Sequence, residues 1–426
     1  MTIHQTEHVQ FTKRGLSRRS LLRSISAGAV AAGTLSFQDL MCLQADELRR
    51  ENRAMILLWM NGGPSQFETF DPKPGTKSGG PTTAIRTATR GIRIAEGWDK
   101  TAAMMNDIAL IRSMTNKEGS HPRASYQMHT GYVPSGSVKH PSLASCVVQQ
   151  LGDSNSELPS FVSVGNSPGG GFLGVDYDPF IVSNAGAPPA NTVPGVEVDR
   201  YNARLGLLDR LQSDFARKGG KEVVENQRRI YRKAANLVKS PKLKAFDISA
   251  ESENTRERYG DSDFGRGCLL ARRLVESGVT FVEVRSPSWD THTDNFERTA
   301  TNIGQVDPGM AALIGDLKDR GMLDKTLVVW MGEFGRTPNI NARNGRDHFP
   351  RCFNIAMAGG GVRGGQVIGS SSRDGSSVED NPVTVHDLFQ TVCKSMHVDP
   401  NHENISPLGR PMKVVDGGQV IEGLLG

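Results

Sequence analysis

Two stretches of this chain set carboxylates beside imidazoles at spacings that suit a divalent cation. The first reads Ser288-Trp289-Asp290-Thr291-His292-Thr293-Asp294. In extended chain, residues two apart point to the same side, so Asp290 and His292 can chelate one ion or form a structural hydrogen-bonded pair. The second reads Gly332-Glu333-Phe334-Gly335-Arg336-Thr337-Pro338 and then Gly345-Arg346-Asp347-His348-Phe349-Pro350. Glu333 stands where an apolar run ends, a costly place for an unpaired carboxylate, so it calls for a cation, either a metal or Arg336. Asp347 and His348 add a second acid–imidazole pair. Asp290, His292, Glu333, Asp347 and His348 are therefore the expected ligands of one or two divalent ions (zinc, calcium or magnesium), with an edge salt-bridge network as the plainer alternative. Arg336 or Arg346 can clamp an anionic oxygen pair.

A third stretch, Glu118-Gly119-Ser120-His121-Pro122-Arg123, followed by His129-Thr130-Gly131-Tyr132, offers different chemistry. Ser120 is a candidate nucleophile, His121 a ligand or base, and Arg123 an oxyanion partner, against ordinary turn and helix-capping roles. A fourth, Asn61-Gly62-Gly63-Pro64-Ser65-Gln66-Phe67-Glu68-Thr69-Phe70-Asp71, brings two glycines for close backbone approach and Glu68 and Asp71 as further candidate ligands. The run Gly359-Gly360-Gly361-Val362-Arg363-Gly364-Gly365 matches no phosphate-binding fingerprint, because no capped helix follows it, and reads as a turn beside the site. His4, His8, His397 and His402 read as solvated.

These segments need a frame that brings them together. Short apolar runs alternate with amphipathic helical patterns, the mark of a three-layer α/β/α sandwich around a mostly parallel sheet. Strands are expected at Ala54–Met60, 108–112, Phe161–Val164, 279–285, Thr326–Met331 and Phe353–Ala358. Helices are expected at Leu143–Leu151, 202–216, 221–238, 264–277, 308–320 and 384–396, with Asp307-Pro308 opening one of them as cap and first helical residue. Residues 199–260 are charged and poor in strand signal, and read as a helical insertion. In open α/β sheets the working groups gather at the C-terminal strand edge, where all four polar segments begin.

The 50 basic residues nearly balance the 46 acidic ones, which argues against a nucleic-acid partner. Much of the small positive excess precedes residue 54. There, Ser17-Arg18-Arg19-Ser20-Leu21-Leu22-Arg23 leads into an Ala- and Gly-rich apolar stretch, residues 25–37. Paired arginines before a short, weakly apolar run form a twin-arginine export signal, so residues 1–45 are expected to direct a folded protein to the periplasm. That run is well under the roughly 20 residues of a stable membrane span, and no stable span is expected after export. Cys42 follows Met41 rather than a small residue, against a lipid anchor. Cys146, Cys268, Cys352 and Cys393 are scattered without a C-x-x-C pair and are expected to be buried thiols.

Taken in order, residues 61–74, 129–132, 289–292, 332–338 and 345–350 resemble the bacterial family labelled domain of unknown function 1501. The resemblance runs from about residue 55 to the C-terminus. That family is grouped with the alkaline phosphatase and sulfatase superfamily, which implies one metal-binding domain over residues 54–426 that hydrolyses sulfate or phosphate esters. Three departures stand out. Asn61 occupies the place of a metal-binding Asp, Glu333-Phe334 replaces an Asp-His pair, and Ser120-His121-Pro122-Arg123 lacks one residue of the sulfatase C/S-x-P-x-R pattern. Formylglycine chemistry is therefore not expected. Two functions follow. One is an exported metal-dependent hydrolase acting on a sulfated or phosphorylated small molecule or glycan. The other is a non-catalytic exported binding protein with an envelope-protein or glycan partner.

Overall fold

The computed structural model describes residues 53–426 except 154, 155, 191, 193 and 194, so the twin-arginine segment lies outside the described residues. The described residues form one compact unit. Its centre is an eight-stranded sheet: β1 Ala54–Met60, β2 Ile108–Met114, β3 Phe161–Val164, β4 Phe180–Val182, β5 Phe281–Ser286, β6 Thr326–Met331, β7 Phe353–Ala358 and β8 Gln366–Ile368. The spatial order is β8-β2-β7-β6-β1-β5-β3-β4. The sheet is parallel except for β7, which runs antiparallel to both β2 and β6.

The helices that shape the site or cover the sheet are α1 Asp99–Ala103, α2 His121–Thr130, α3 Leu143–Leu151, α4 Val198–Phe215, α5 Lys221–Lys239, α6 Asp263–Glu276, α7 Asn295–Asp319 and α8 Val385–Met396. Strand β1 is buried along its whole length, which is why it reads as a continuous apolar run rather than an alternation. Ala54, Ile56, Leu58 and Met60 join the core shared with Phe264, Cys268 and Leu269 of α6 and with Met310, Leu313 and Leu317 of α7. The intervening Trp59 points the other way, its ring tilted against that of His129 of α2 with centroids 4.1 Å apart. The chain is thus a three-layer α/β/α sandwich with a mostly parallel sheet.

Three expectations are corrected. Asp307-Pro308 does not open a helix: α7 begins at Asn295 and runs through Pro308. The Asp307 carboxylate instead accepts from the backbone N–H of Lys100 and Thr101, at 2.9 and 2.7 Å, and so caps the first turn of α1. The glycine run at 359–365 is not beside the site. Because β7 is antiparallel, its end lies at the opposite sheet edge, where a Cβ on Gly359 would sit 2.3 Å from Thr326 O at the start of β6. Finally, residues 167–194, rich in Gly and Pro and read from sequence as one long loop, contain the three-residue edge strand β4.

Candidate metal centre

Strands β1, β2, β5 and β6 all end at one edge, and each hands its next residues to the same site. After β5, the backbone N–H of Trp289 donates to Asn61 O at 3.1 Å, holding the Asp290 loop against the end of β1. Gly62 makes that approach possible. Its φ is +116°, and a Cβ there would lie 2.4 Å from Asp290 N. The two acid–imidazole segments are tied by backbone bonds as well, Arg346 N to Thr291 O at 3.0 Å and Asp294 N to Arg343 O at 3.0 Å. A two-residue antiparallel ladder pairs His348 with Arg336 and Phe349 with Gly335. It folds His348 back beside Phe334, whose buried ring lies 4.6 Å from His348 and 4.9 Å from His121.

Three imidazoles converge on Asp290. His121 Nε2 lies 3.3 Å from Asp290 Oδ2, while His292 Nε2 and His348 Nε2 lie 3.2 and 3.5 Å from Oδ1. His121, Asp290 and His348 each offer a ligand atom within 4.8 Å of the others. Behind each ring stands an acceptor for Nδ1: Glu333 Oε1 at 2.7 Å for His121, Asp347 Oδ1 at 2.8 Å for His292, and Gly119 O at 2.8 Å for His348. A carboxylate or carbonyl can only accept, so each Nδ1 carries the proton. In the neutral tautomer every Nε2 lone pair then faces inward.

That arrangement is unfavourable without a positive charge at its centre. His292 Nε2 and His348 Nε2 are only 3.0 Å apart, and both confront an anionic oxygen. His121 Nε2 is buried without a hydrogen-bond partner, and so is Glu333 Oε2. An imidazole whose Nδ1–H is fixed by a carboxylate or carbonyl, with Nε2 free, is the usual form of a metal ligand. The residues present therefore fit a divalent cation.

Charge in the site is set by its neighbours. The hydrogen bond to Glu333 holds the His121 imidazole above its ordinary pKa, against the effect of burial. Burial pulls His348 below its own. Asp290 stays in the ionised range: desolvation works to raise it, but the Arg336 hydrogen bond and charge outweigh that.

The structure redistributes several expected roles. Asp290, His292 and His348 come together as ligand candidates, joined by His121. Asp347 stands behind His292 instead of facing the centre, because its Oδ1 accepts from the ring. Glu333 uses Oε1 for His121 and for the N–H of Gly62 at 2.9 Å, and its Oε2 is buried without a hydrogen-bond partner. Arg336 is no free anion clamp. Its fully buried guanidinium is occupied by Gly62 O, Gly63 O, Arg346 O and Asp290 Oδ1. Arg346 is likewise buried and bonded to Glu68 at 2.8 Å.

Arg123 is exposed and held by both oxygens of Glu118 at 2.7 Å, so it does not face a reacting oxyanion. Ser120 is the extended N-cap of α2, an exposed position that is not on the cavity wall. Ser125, four residues after His121 and so on the same helix face, lines it together with Ser288. Glu68 and Asp71 are outside the centre, bonded to Arg346, Asn295 and Thr82, and to Lys73 and Ser371. Sequence reasoning missed the buried neighbour pair His129 and Glu283, 3.4 Å apart. Nothing in the sequence signals it, since the alternation Val282-Glu283-Val284-Arg285 reads Glu283 as solvent-facing, whereas β5 is covered on both faces.

The centre opens into a cavity of about 350 Å³ lined by Asn61, Gly62, His121, Ser125, Ser288 and Asp290 among others. A second cleft of about 1160 Å³ shares Asn61 and continues past Arg285, Asn166, Asn184 and Gln305.

Among solved structures, the chain is similar to the sulfatase PsFucS1 from Pseudoalteromonas sp., with 11% identity over 83% of this chain and 72% of that one, at a TM-score of 0.38. It is similar to the phosphonate monoester hydrolase SpPMH from Silicibacter pomeroyi, with 12% identity over 82% and 74%, at 0.36. A TAB5 alkaline phosphatase gives 11% identity over 81% and 98%, at 0.37. Likenesses this distant carry no inference about activity. No curated protein matches. The sequence model of one family does match, across residues 52–425, and the chain belongs to that family, described as protein of unknown function DUF1501.

Proposed function

We propose that the protein is an exported, metal-dependent hydrolase of sulfate or phosphate esters. The observation that carries this reading is the convergence of the three Nε2 atoms on Asp290 with an acceptor behind every Nδ1. His121, Asp290 and His348, with His292, would hold the ion. Nitrogen donors in this number favour zinc or a neighbouring transition metal over calcium or magnesium, which take oxygen. Bound there, such an ion supplies Lewis acidity to a sulfuryl or phosphoryl oxygen and a lowered pKa to water.

The chain's own residues do the rest. Glu333 and Asp347 keep the rings in the tautomer that leaves Nε2 free. Arg336 fixes Asp290 as an anion and as a rigid ligand. Ser125 and Ser288 place hydroxyls on the cavity wall, and the cleft beyond Asn61 suits the polyhydroxylated remainder of a glycan. The twin-arginine segment supports export in the folded state, with the ion taken up before transit. One observation favours the second reading, a non-catalytic binding protein: Arg123, Arg336 and Arg346, the cations expected to meet an anionic oxygen, are all occupied by protein partners.

Turnover decides between them. Purified full-length protein is loaded with zinc, calcium or magnesium and assayed on aryl sulfates and aryl phosphates, alongside Asp290→Asn and Asp347→Asn. The hydrolase reading expects turnover that falls by a factor on the order of 100 or more in Asp290→Asn and less in Asp347→Asn. Bound metal without turnover would leave the binding protein.

A further inference from the structure

Helices α4 and α5 form a hairpin that the proposed chemistry does not use. Its base is tied to the body. Ala235 and Leu237 of α5 are buried, and Arg229 and Lys233 both reach Asp176, at 2.8 and 3.2 Å. The other end is unlike any ordinary surface helix pair. On α4, Leu207, Leu211 and Phe215 recur every four residues, which places them in one stripe, and they are 54%, 66% and 56% exposed. Val223, just past the turn, is 61% exposed. Large apolar side chains gathered so openly at the tip of a helical hairpin mark a surface made to be covered.

Charge says what covers it. The chain as a whole is nearly neutral, yet residues 198–239 hold eleven basic and only five acidic residues. Arg200 and Arg204 lie on the same side of α4 as the apolar stripe, by helical spacing, and Arg217, Lys218 and Lys221 surround the turn. An apolar ridge set among cations complements an anionic bilayer surface, where the apolar groups enter the headgroup boundary and the cations meet lipid phosphates. A second copy of the chain would place like charges opposite one another across the same face. The turn is built for such a role. Gly219 adopts φ +108°, and a Cβ on Gly220 would lie 2.2 Å from the Phe215 ring, so the ring rests on the turn itself.

We infer that the tip of the α4–α5 hairpin docks on anionic phospholipid surfaces. This does not depend on the metal centre or on hydrolysis.

The test is vesicle flotation of the full chain with phosphatidylcholine vesicles and with phosphatidylcholine vesicles containing phosphatidylglycerol, at low and high salt. Two variants are compared with wild type: Leu211→Ser with Phe215→Ser, and Lys218→Glu with Lys221→Glu. All three proteins carry the same residues 1–52, so a difference between them reports the hairpin. We expect binding to the anionic vesicles to fall about tenfold or more in each variant, and in wild type with added salt. Equal binding by wild type and both variants, no preference for anionic vesicles, or a wild-type dimer in light scattering that the Leu211→Ser, Phe215→Ser protein loses, would each overturn the proposal. All four positions are solvent-exposed, and circular dichroism checks the fold. Should one variant unfold, the other, compared with wild type, still decides.

Discussion

At the scale of single residues, the site works through what stands behind the imidazoles. Glu333 is 1% exposed and reaches His121 and the Gly62 N–H with one oxygen. Replacing it by Gln keeps the shape and removes the charge. We expect Glu333→Gln to weaken metal binding by about 10–100-fold at pH 8, measured by competition with a chromogenic chelator. The same substitution tests proton linkage in the metal-free protein. His121 has a raised pKa in the fold, caused first by the Glu333 hydrogen bond. Its contribution to stability is therefore complete below the unfolded value of about 6.5 and is lost as pH rises through the raised folded value. Urea unfolding of metal-free wild type should lose stability across that window relative to Glu333→Gln. His348, whose pKa is lowered by burial, is common to both proteins and drops out of the comparison.

Asp290, His292, Glu333, Asp347 and His348 were legible in the sequence because acid–imidazole pairs at the ends of apolar runs are rare without purpose. Which of them faces the centre was not legible. That depends on the Gly62 N–H and on His121, both contributed by other strands.

At the scale of elements, the sheet was readable where strands are buried on both faces. Ala54–Met60, Phe161–Val164, Thr326–Met331 and Phe353–Ala358 appear with the expected bounds. The edge strands Phe180–Val182 and Gln366–Ile368 were not readable, since three residues are too few to show a period. Pro308 misled because its place at a helix start and its place in a helix interior look alike in sequence. What separates them is where Asp307 bonds. We expect Asp307→Ala to cost about 1–2 kcal/mol, through the uncapped first turn of α1, with metal binding unchanged. Thermal unfolding and a metal titration on the same variant check both halves. Gly345 makes the opposite case. A Cβ there would lie 1.9 Å from His292 O, so Gly345→Ala should displace the His292 segment. A loss of about 1–3 kcal/mol together with weaker metal binding is expected, and stability lost with full metal affinity would contradict it.

At the scale of the whole molecule, His292 and Asp347 are 55 residues apart, and their segments meet because β5 and β6 flank β1 in a parallel sheet. The architecture was foreseeable from the alternation of apolar runs and amphipathic helices, and the shared edge followed from it. The cysteines follow the same logic. Cys146, Cys268, Cys352 and Cys393 are all buried free thiols, and burial pushes Cys146 and Cys352 up to about 12. None of these four should react with a thiol reagent at pH 8 until the chain is unfolded, which a peptide map of the labelled protein resolves site by site. The central claim is that this edge holds a cation. Crystals of the protein grown with zinc and measured at the zinc absorption edge test it most directly. The account predicts an anomalous peak about 2.0–2.2 Å from His121 Nε2, His348 Nε2 and an Asp290 oxygen. No peak among these side chains, with the three imidazoles still facing Asp290, would contradict it.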